Sequence, residues 1–115
     1  MEKIIRIDTK DYKMKSSAYT QFAYKDETGR SFLNDIQALT KFVNAKEISI
    51  AELDSISELL LKVAYVMIKE ADSTQVTDFE SFLRGIESLY DNIDWITEVI
   101  TLGCTPISRQ LQTIK

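Results

Sequence analysis

The side chains that most often carry out catalysis are scarce in this chain. It contains no histidine, which removes the commonest general base, the commonest metal ligand and the usual partner of a serine or cysteine nucleophile. Its single cysteine, Cys104, has no second cysteine for a disulfide or redox pair, so we expect an inert thiol. The three glycines are far apart, so no loop is built to bind phosphate. These features favour a non-catalytic protein without a cofactor and without catalytic residues.

Carboxylates are the remaining groups that could do chemistry, and several are close together in the sequence. Each pair falls near a predicted helix end, where Asp and Glu at an N-terminus stabilise the helix dipole, and none has the spacing of a calcium loop. We interpret them as helix caps and predict no metal site. A carboxylate-based enzyme is the remote alternative. The pairs are Glu70 and Asp72, Asp78 and Glu80, and Asp91 and Asp94.

The composition is that of one folded domain that acts away from nucleic acid. The chain has 115 residues, of which 44% are hydrophobic and 28% charged, and one core suffices at this length. The net charge of −4 offers no overall attraction for a phosphate backbone. The lone cysteine and the lack of an apolar run at the start predict a reducing cytoplasm. The apolar stretch 59–68 is shorter than the ~20 residues of a membrane span, so no membrane partner is expected.

The N-terminal residues predict a β-hairpin, and the rest of the chain predicts helices. Residues 3–7 and 12–15 are rich in β-branched or aromatic side chains and flank a polar turn at 8–11. A first helix begins after Ser17, with Tyr19, Phe22 and Ala23 at helical spacing, and ends at Gly29. A second helix follows Ser31 and fades near Lys46.

The third predicted helix is the longest and is the expected centre of the core. It begins at a capping box, 49–52, and runs to about Asp72. A second capping box, 77–80, opens a fourth helix that continues to Tyr90, with Gly85 inside it at a close helix contact. A last helix carries Trp95 and ends at Gly103.

These elements predict a mainly α (α+β) fold, in which a short hairpin (1–15) precedes four to five helices packed as a small bundle. Residues 1–103 form a single domain, and 104–115 form a flexible C-terminal tail. Alternatively, a partner could induce a helix in the tail, which would place Ile107, Leu111 and Ile114 on one face. The sequence leaves both possibilities open.

The order of several segments resembles the tail assembly chaperones of long-tailed bacteriophages and prophages, particularly those of Gram-positive hosts. The resemblance covers residues 2 to about 102. It rests on the short N-terminal hairpin and, after it in this order, on the segments Lys15-Ser-Ser-Ala18, Thr28-Gly-Arg-Ser-Phe-Leu33 with Asp35-Ile36, the helical run 59–72, and Phe79-Glu-Ser-Phe-Leu83.

The resemblance implies a non-catalytic function in virion assembly. The protein would bind the tape measure protein in the bacterial host cytoplasm, assist assembly of the tail tube protein around it, and be missing from the mature virion. A ribosomal frameshift near the end of the reading frame would extend part of the product. The main alternative is another small phage or prophage protein of the connector or antirepressor type, which also acts by protein contact.

The sequence suggests two sets of contact residues. The candidates are Phe79, Phe82 and Trp95 for a groove, unless these aromatics belong to the core, and Ile107, Leu111 and Ile114 for a tail contact. The protein is also a possible homo-oligomer, a ring or spiral around its client, with the exposed hairpin edge as the natural place for self-association.

Overall fold

The structure is a computed structural model of the chain. It describes the backbone of residues 1–44, 49–90 and 92–114, and the side chains of residues 1–43, 49–90 and 92–106. In this part of the chain, a two-stranded hairpin is followed by five α-helices and a 3₁₀ turn, which confirms the predicted mainly helical fold. The elements are β1 (Glu2–Ile7), β2 (Lys10–Lys15), α1 (Ala18–Thr28), α2 (Phe32–Asn44), α3 (Ile50–Ala71), the 3₁₀ turn Ser73–Gln75, α4 (Phe79–Arg84) and α5 (Asp94–Ile114).

The hairpin is antiparallel and longer than predicted, because its turn needs two residues instead of four. Ile7 pairs with Lys10 across the turn, in which Asp8 adopts the left-handed conformation with φ 61°. Aspartate tolerates this conformation better than most residues. Strand alternation places Ile5, Ile7, Tyr12 and Met14 on the face that is buried against the helices.

The first three helices begin where the sequence predicts. Ser17 caps α1 with a reciprocal hydrogen-bond pair to Thr20, and α1 ends at Gly29, whose φ of 73° is left-handed. The hydroxyl of Ser31 accepts a hydrogen bond from the Asn34 N–H at 3.3 Å, and that of Ser49 accepts one from the Glu52 N–H at 3.1 Å. The predicted end of the second helix, near Lys46, lies outside the described residues.

Helix α3 is the centre of the core, as predicted. It packs against β2 and against α1, α2, α4 and α5. Its residues Leu60, Leu61 and Val63 to Ile68 are all buried, so the helix is covered on several sides over its second half. No helix in the described part of the chain is long and apolar enough to cross a membrane.

The fourth helix is shorter than predicted and begins one residue later. The side chain of Asp78, not of Thr77, caps it by accepting a hydrogen bond from the Ser81 N–H at 2.7 Å. The helix ends at Gly85 and does not continue to Tyr90. Gly85 therefore lies at a helix end, and the predicted close helix contact is wrong, because a Cβ there would meet only carbonyl oxygens of its own helix, at 3.5 Å or more.

The last helix is longer than predicted, since it continues through Gly103 and Pro106 to Ile114. The predicted helix end at Gly103 is wrong for a tertiary reason: a Cβ at this position would lie 2.9 Å from Cδ1 of Ile36. The glycine allows α5 to approach α2 closely. Residues 104–114, predicted as a tail, have helical backbone continuous with α5.

Candidate protein-binding surface

Helix α1 presents two aromatic side chains to solvent. Tyr19 is 64% exposed and Phe22 is 63% exposed, and their spacing of three residues places them on one face. The face of α1 that turns inward carries Thr20 and Tyr24 instead. The aromatic spacing in the sequence predicts the helix correctly but does not mark its buried face.

Polar contacts explain why α1 is oriented in this way. The hydroxyls of Ser17 and Thr20 donate to the two carboxylate oxygens of Glu70 on α3, each at 2.6 Å. The hydroxyl of Tyr24 donates to Asp35 on α2, also at 2.6 Å. Glu70 was predicted to be a helix cap, and this is wrong: it joins two helices. These bonds satisfy buried polar atoms, so the inward face of α1 can be polar while its outward face is aromatic.

A cleft of about 220 Å³ lies between α1 and α3, and Tyr19 is one of its lining residues. Among the described residues that line it, Lys69 is the single cationic group. Lys69 Nζ lies 3.1 Å from Glu27 Oε1 and 5.4 Å from the centre of the Tyr65 ring, and the hydrogen bond to Glu27 raises the pKa of Lys69. With three carboxylates against one ammonium group, the cleft has an acidic rim. Its lining residues are Tyr19, Ala23, Asp26, Glu27, Val66, Lys69 and Glu70.

A second groove, of about 510 Å³, lies between α2 and the start of α3. Its apolar lining comes from Ala38, Phe42, Ala51 and Ile56, with Phe42 and Ile56 half-buried. Ile50, next to Ala51 in the sequence, is 87% exposed. This groove could accommodate an apolar helix in the manner of helix-in-groove recognition.

The aromatic residues predicted to form a groove belong to the core instead. Phe82 and Trp95 are buried, and Phe79 is half-buried and packs against the core. The Phe82 ring lies 5.6 Å from the Tyr12 ring in an edge-to-face arrangement. The indole N–H of Trp95 donates to the Leu89 carbonyl at 2.9 Å. In this structure, Phe82 and Trp95 therefore offer no surface to a partner.

The three aliphatic residues predicted for a tail contact lie on the α5 backbone. Residues 107, 111 and 114 are all within the helical range Asp94–Ile114. The side chains of Ile107, Leu111 and Ile114 are outside the described residues, so their role as a contact stays a prediction.

A buried carboxylate on α2, Asp35, is the centre of a cluster of polar side chains. Asp35 is 4% exposed and accepts hydrogen bonds from Tyr24 Oη at 2.6 Å, Arg30 Nε at 2.8 Å and Arg30 Nη2 at 3.0 Å. Burial alone would raise the pKa of Asp35, but the bonds from Arg30 and Tyr24 outweigh it and lower the pKa. Burial, followed by the bond to Asp35, raises the pKa of Tyr24. At neutral pH, Asp35 is therefore ionised and Tyr24 is neutral, and the hydrogen bond between them joins α1 to α2.

The other predicted capping carboxylates are spread over separate helix ends. Asp72 caps the 3₁₀ turn through Thr74, and Asp78 caps α4. Glu80 forms an ion pair with Arg84 at 2.7 Å, and Asp94 is the first residue of α5. Asp91 lies outside the described residues.

The remaining candidates for chemistry are not gathered into a site. Among the residues that the structure describes, no three potential metal-binding side chains come together. Cys104 is half-buried, and its Sγ lies 3.6 Å from the hydroxyl of Thr40.

Comparison with known proteins gives no match: no family model, no curated protein and no solved structure is significantly similar to this chain. The exposed aromatic pair on α1 and the cleft beside it are therefore the features from which a function can be argued. Sequence reasoning missed both. One feature of the sequence could have indicated them: α1 carries aromatic residues and alanines around much of its circumference, so the pattern does not define which face is buried.

Proposed function

We propose that this protein is a non-catalytic tail assembly chaperone of a long-tailed phage or prophage, and that it binds a helical segment of the tape measure protein. The observation that carries the binding function is the exposed pair Tyr19 and Phe22 beside the acidic cleft. The choice of the tape measure protein as the client rests on the resemblance of segments such as 28–36 and 59–72 to the tail assembly chaperones. The tail tube protein is the second partner in this proposal, and the host cytoplasm is its place of action.

The physical case begins with the free energy of burial. Covering a large apolar side chain contributes about 1.5–3 kcal/mol, so Tyr19 and Phe22 together could supply a substantial part of a binding energy. Aromatic residues are also enriched in the energetically dominant positions of protein interfaces. Two such side chains, more than 60% exposed on one helical face, are therefore suited to anchor a partner.

The charge of the cleft adds a preference for the client. Asp26, Glu27 and Glu70 outnumber Lys69 along the rim, so a basic residue that follows an apolar stripe would be attracted there. A helix with spaced apolar residues and flanking Lys or Arg satisfies both features. The more apolar groove between α2 and α3 could extend this contact to a second segment of a long client.

Co-expression with the proposed tape measure client tests the proposal directly. The wild-type chain is expected to raise the soluble fraction of the client, because covering its apolar stripe prevents aggregation. The double variant Tyr19→Ser/Phe22→Ser should lose most of this effect while remaining folded. A matched control, Leu83→Ser/Ile93→Ser, also removes two exposed apolar side chains, but far along the chain, and should behave like the wild type.

Two results would separate the parts of the proposal. Equal client solubility with and without the wild-type chain would refute the chaperone function. If the wild-type chain and the Tyr19→Ser/Phe22→Ser variant raise the soluble fraction of the client equally, the chaperone function stands and the α1 surface is the wrong contact.

A further inference from the structure

The two edges of the N-terminal hairpin differ in their hydrogen bonding. On the β2 side, the side-chain amide of Gln75 reaches from the 3₁₀ turn to Lys13. Its Oε1 accepts from the Lys13 N–H at 2.8 Å, and its Nε2 donates to the Lys13 carbonyl at 2.9 Å. This is the pair of bonds that a neighbouring strand would make. The centre of the β2 edge is therefore closed by a side chain.

In the part of the chain that the structure describes, the β1 edge has no neighbouring strand. Met1 and Ser16 exchange both backbone hydrogen bonds, at 2.7 and 2.8 Å. Since hydrogen-bonded pairs alternate along an antiparallel ladder, the odd-numbered residues of β1 bond to β2, and the N–H and C=O groups of Glu2, Ile4 and Arg6 point to the outer edge. Lys13, which lies opposite Ile4 and points outward to Gln75, gives the same alternation. None of these three outward residues has a backbone partner among the described residues.

We propose that this edge binds the same edge of a second copy of the chain, so that two hairpins form one four-stranded antiparallel sheet. The two-fold axis passes beside Ile4, which lies opposite Ile4 of the second copy. Glu2 then lies opposite Arg6 of the second copy, and Arg6 opposite its Glu2. All three pairs join outward-pointing backbone groups, so each can exchange two N–H···O=C bonds. This register uses every free backbone group of the edge.

Charge complementarity selects the second copy as the occupant. In the proposed sheet, Lys15 and Glu2 of one copy lie in the same row as Arg6 and Asp11 of the second copy on the solvent face. Positive and negative charges therefore alternate across the four strands. Opposite charges on directly facing residues stabilise a strand pair. In the central row, Ile4 packs against Ile4 of the second copy, which covers a side chain that is 64% exposed in the single chain.

The geometry also limits the size of the assembly. The contact is the same surface on both copies, and such an interface closes after two subunits. On the second hairpin edge, Gln75 already binds the backbone of Lys13 at the centre, which opposes continuation of the sheet on that side. The hairpin edge therefore supports a dimer, and a ring or spiral would need a different surface.

The test is the mass of the full chain in solution, measured by light scattering and sedimentation over a range of concentrations. We expect a concentration-dependent rise from 13.2 kDa to twice that value. Glu2→Arg places two arginines opposite each other at both ends of the contact and should weaken the dimer about tenfold or more. The double variant Glu2→Arg/Arg6→Glu restores opposite charges and should restore the dimer. Glu80→Arg, the same change on α4, is the control and should leave the dimer intact.

A backbone variant gives an independent measure. Ile4→Pro removes an N–H that points away from β2, so the hairpin itself loses no hydrogen bond while the proposed contact loses two. Far-UV circular dichroism verifies that this variant is folded, and it should be monomeric. In the wild type, the amides of Ile4 and Arg6 should exchange more slowly at high protein concentration. A chain that stays at 13.2 kDa throughout, or a dimer that Glu2→Arg does not weaken, overturns the proposal.

Discussion

Replacing Asp35 by Asn tests whether the buried carboxylate cluster stabilises the fold as its geometry indicates. Asn keeps the shape of Asp but replaces one accepting oxygen by an NH₂ group and removes the charge. Asp35 Oδ2 accepts from both Tyr24 and Arg30 Nε, so the amide oxygen is best placed there. The NH₂ group then faces Arg30 Nη2, which bonded to Oδ1 at 3.0 Å.

The expected cost follows from the bond that is lost. A hydrogen bond to a charged group contributes about 1.5–3 kcal/mol. The Arg30 side chain is 48% exposed, so water screens part of its attraction and the lower half of this range applies. We expect Asp35→Asn to lower the free energy of unfolding by about 2 kcal/mol. With a urea m value of about 1.5 kcal/mol/M, the midpoint falls by about 1.3 M.

The pH dependence provides a second, independent signature. The pKa of Asp35 is lowered in the folded state, so its stabilisation is present above the unfolded-state pKa, near 3.8, and is lost as the pH falls through the folded-state value. The difference between the wild type and Asp35→Asn should therefore be full at neutral pH and shrink as the solution is acidified below the unfolded-state pKa. Fluorescence of Trp95, the single tryptophan, reports unfolding in urea.

The control is Asp54→Asn, which removes an exposed carboxylate on α3 and should change stability by less than about 0.5 kcal/mol. If Asp35→Asn is as mild as this control at neutral pH, or if its effect is the same in acid, the assigned role of the cluster is wrong.

Three further substitutions test the packing and the backbone. Trp95→Ala should lower the free energy of unfolding by about 3–5 kcal/mol, because it empties a fully buried site and leaves the Leu89 carbonyl unpaired. Urea unfolding followed by circular dichroism measures this loss, and a loss below about 1 kcal/mol would contradict the prediction. Gly29→Ala should cost about 1 kcal/mol in the same assay, purely from its φ of 73°, since no atom lies within 4 Å of the new Cβ. Gln75→Ala should speed amide exchange at Lys13, and unchanged exchange would show that the side chain does not close that edge.

Local signals predicted the N-terminal two thirds of the fold well. Ser17, Ser31 and Ser49 lie where helices begin, and Gly29 lies where α1 ends, because capping depends on a few neighbouring residues. The long apolar pattern of α3 likewise identified the centre of the core.

The sequence predicted less well those helix ends and buried side chains that depend on residues distant in the chain. Gly103 has the local character of a helix end, yet it lies inside α5, where it packs closely against the Ile36 side chain of α2. Phe82 and Trp95 have the composition of a binding groove, yet they fill the core. Neither result is contained in the neighbouring sequence.

The candidate surface shows the same limit most clearly. Tyr19 and Phe22 are large aromatic residues of α1, and a rule that buries the most apolar side chains of a helix would bury them. They are exposed because Glu70 and Asp35, which lie on other helices, bind the hydroxyls of the opposite face.

The sequence by itself determined which classes of chemistry are disfavoured and where most helices begin. The absence of histidine, the single Cys104 and the serine caps are all visible without a fold. The tertiary structure alone decided which aromatic residues face solvent, why α5 continues past Gly103, and why one hairpin edge is closed by Gln75 while the other is open. The physical reason is range: caps and turns are satisfied within a few residues, whereas burial and edge pairing depend on residues that are distant in the chain and adjacent only after folding.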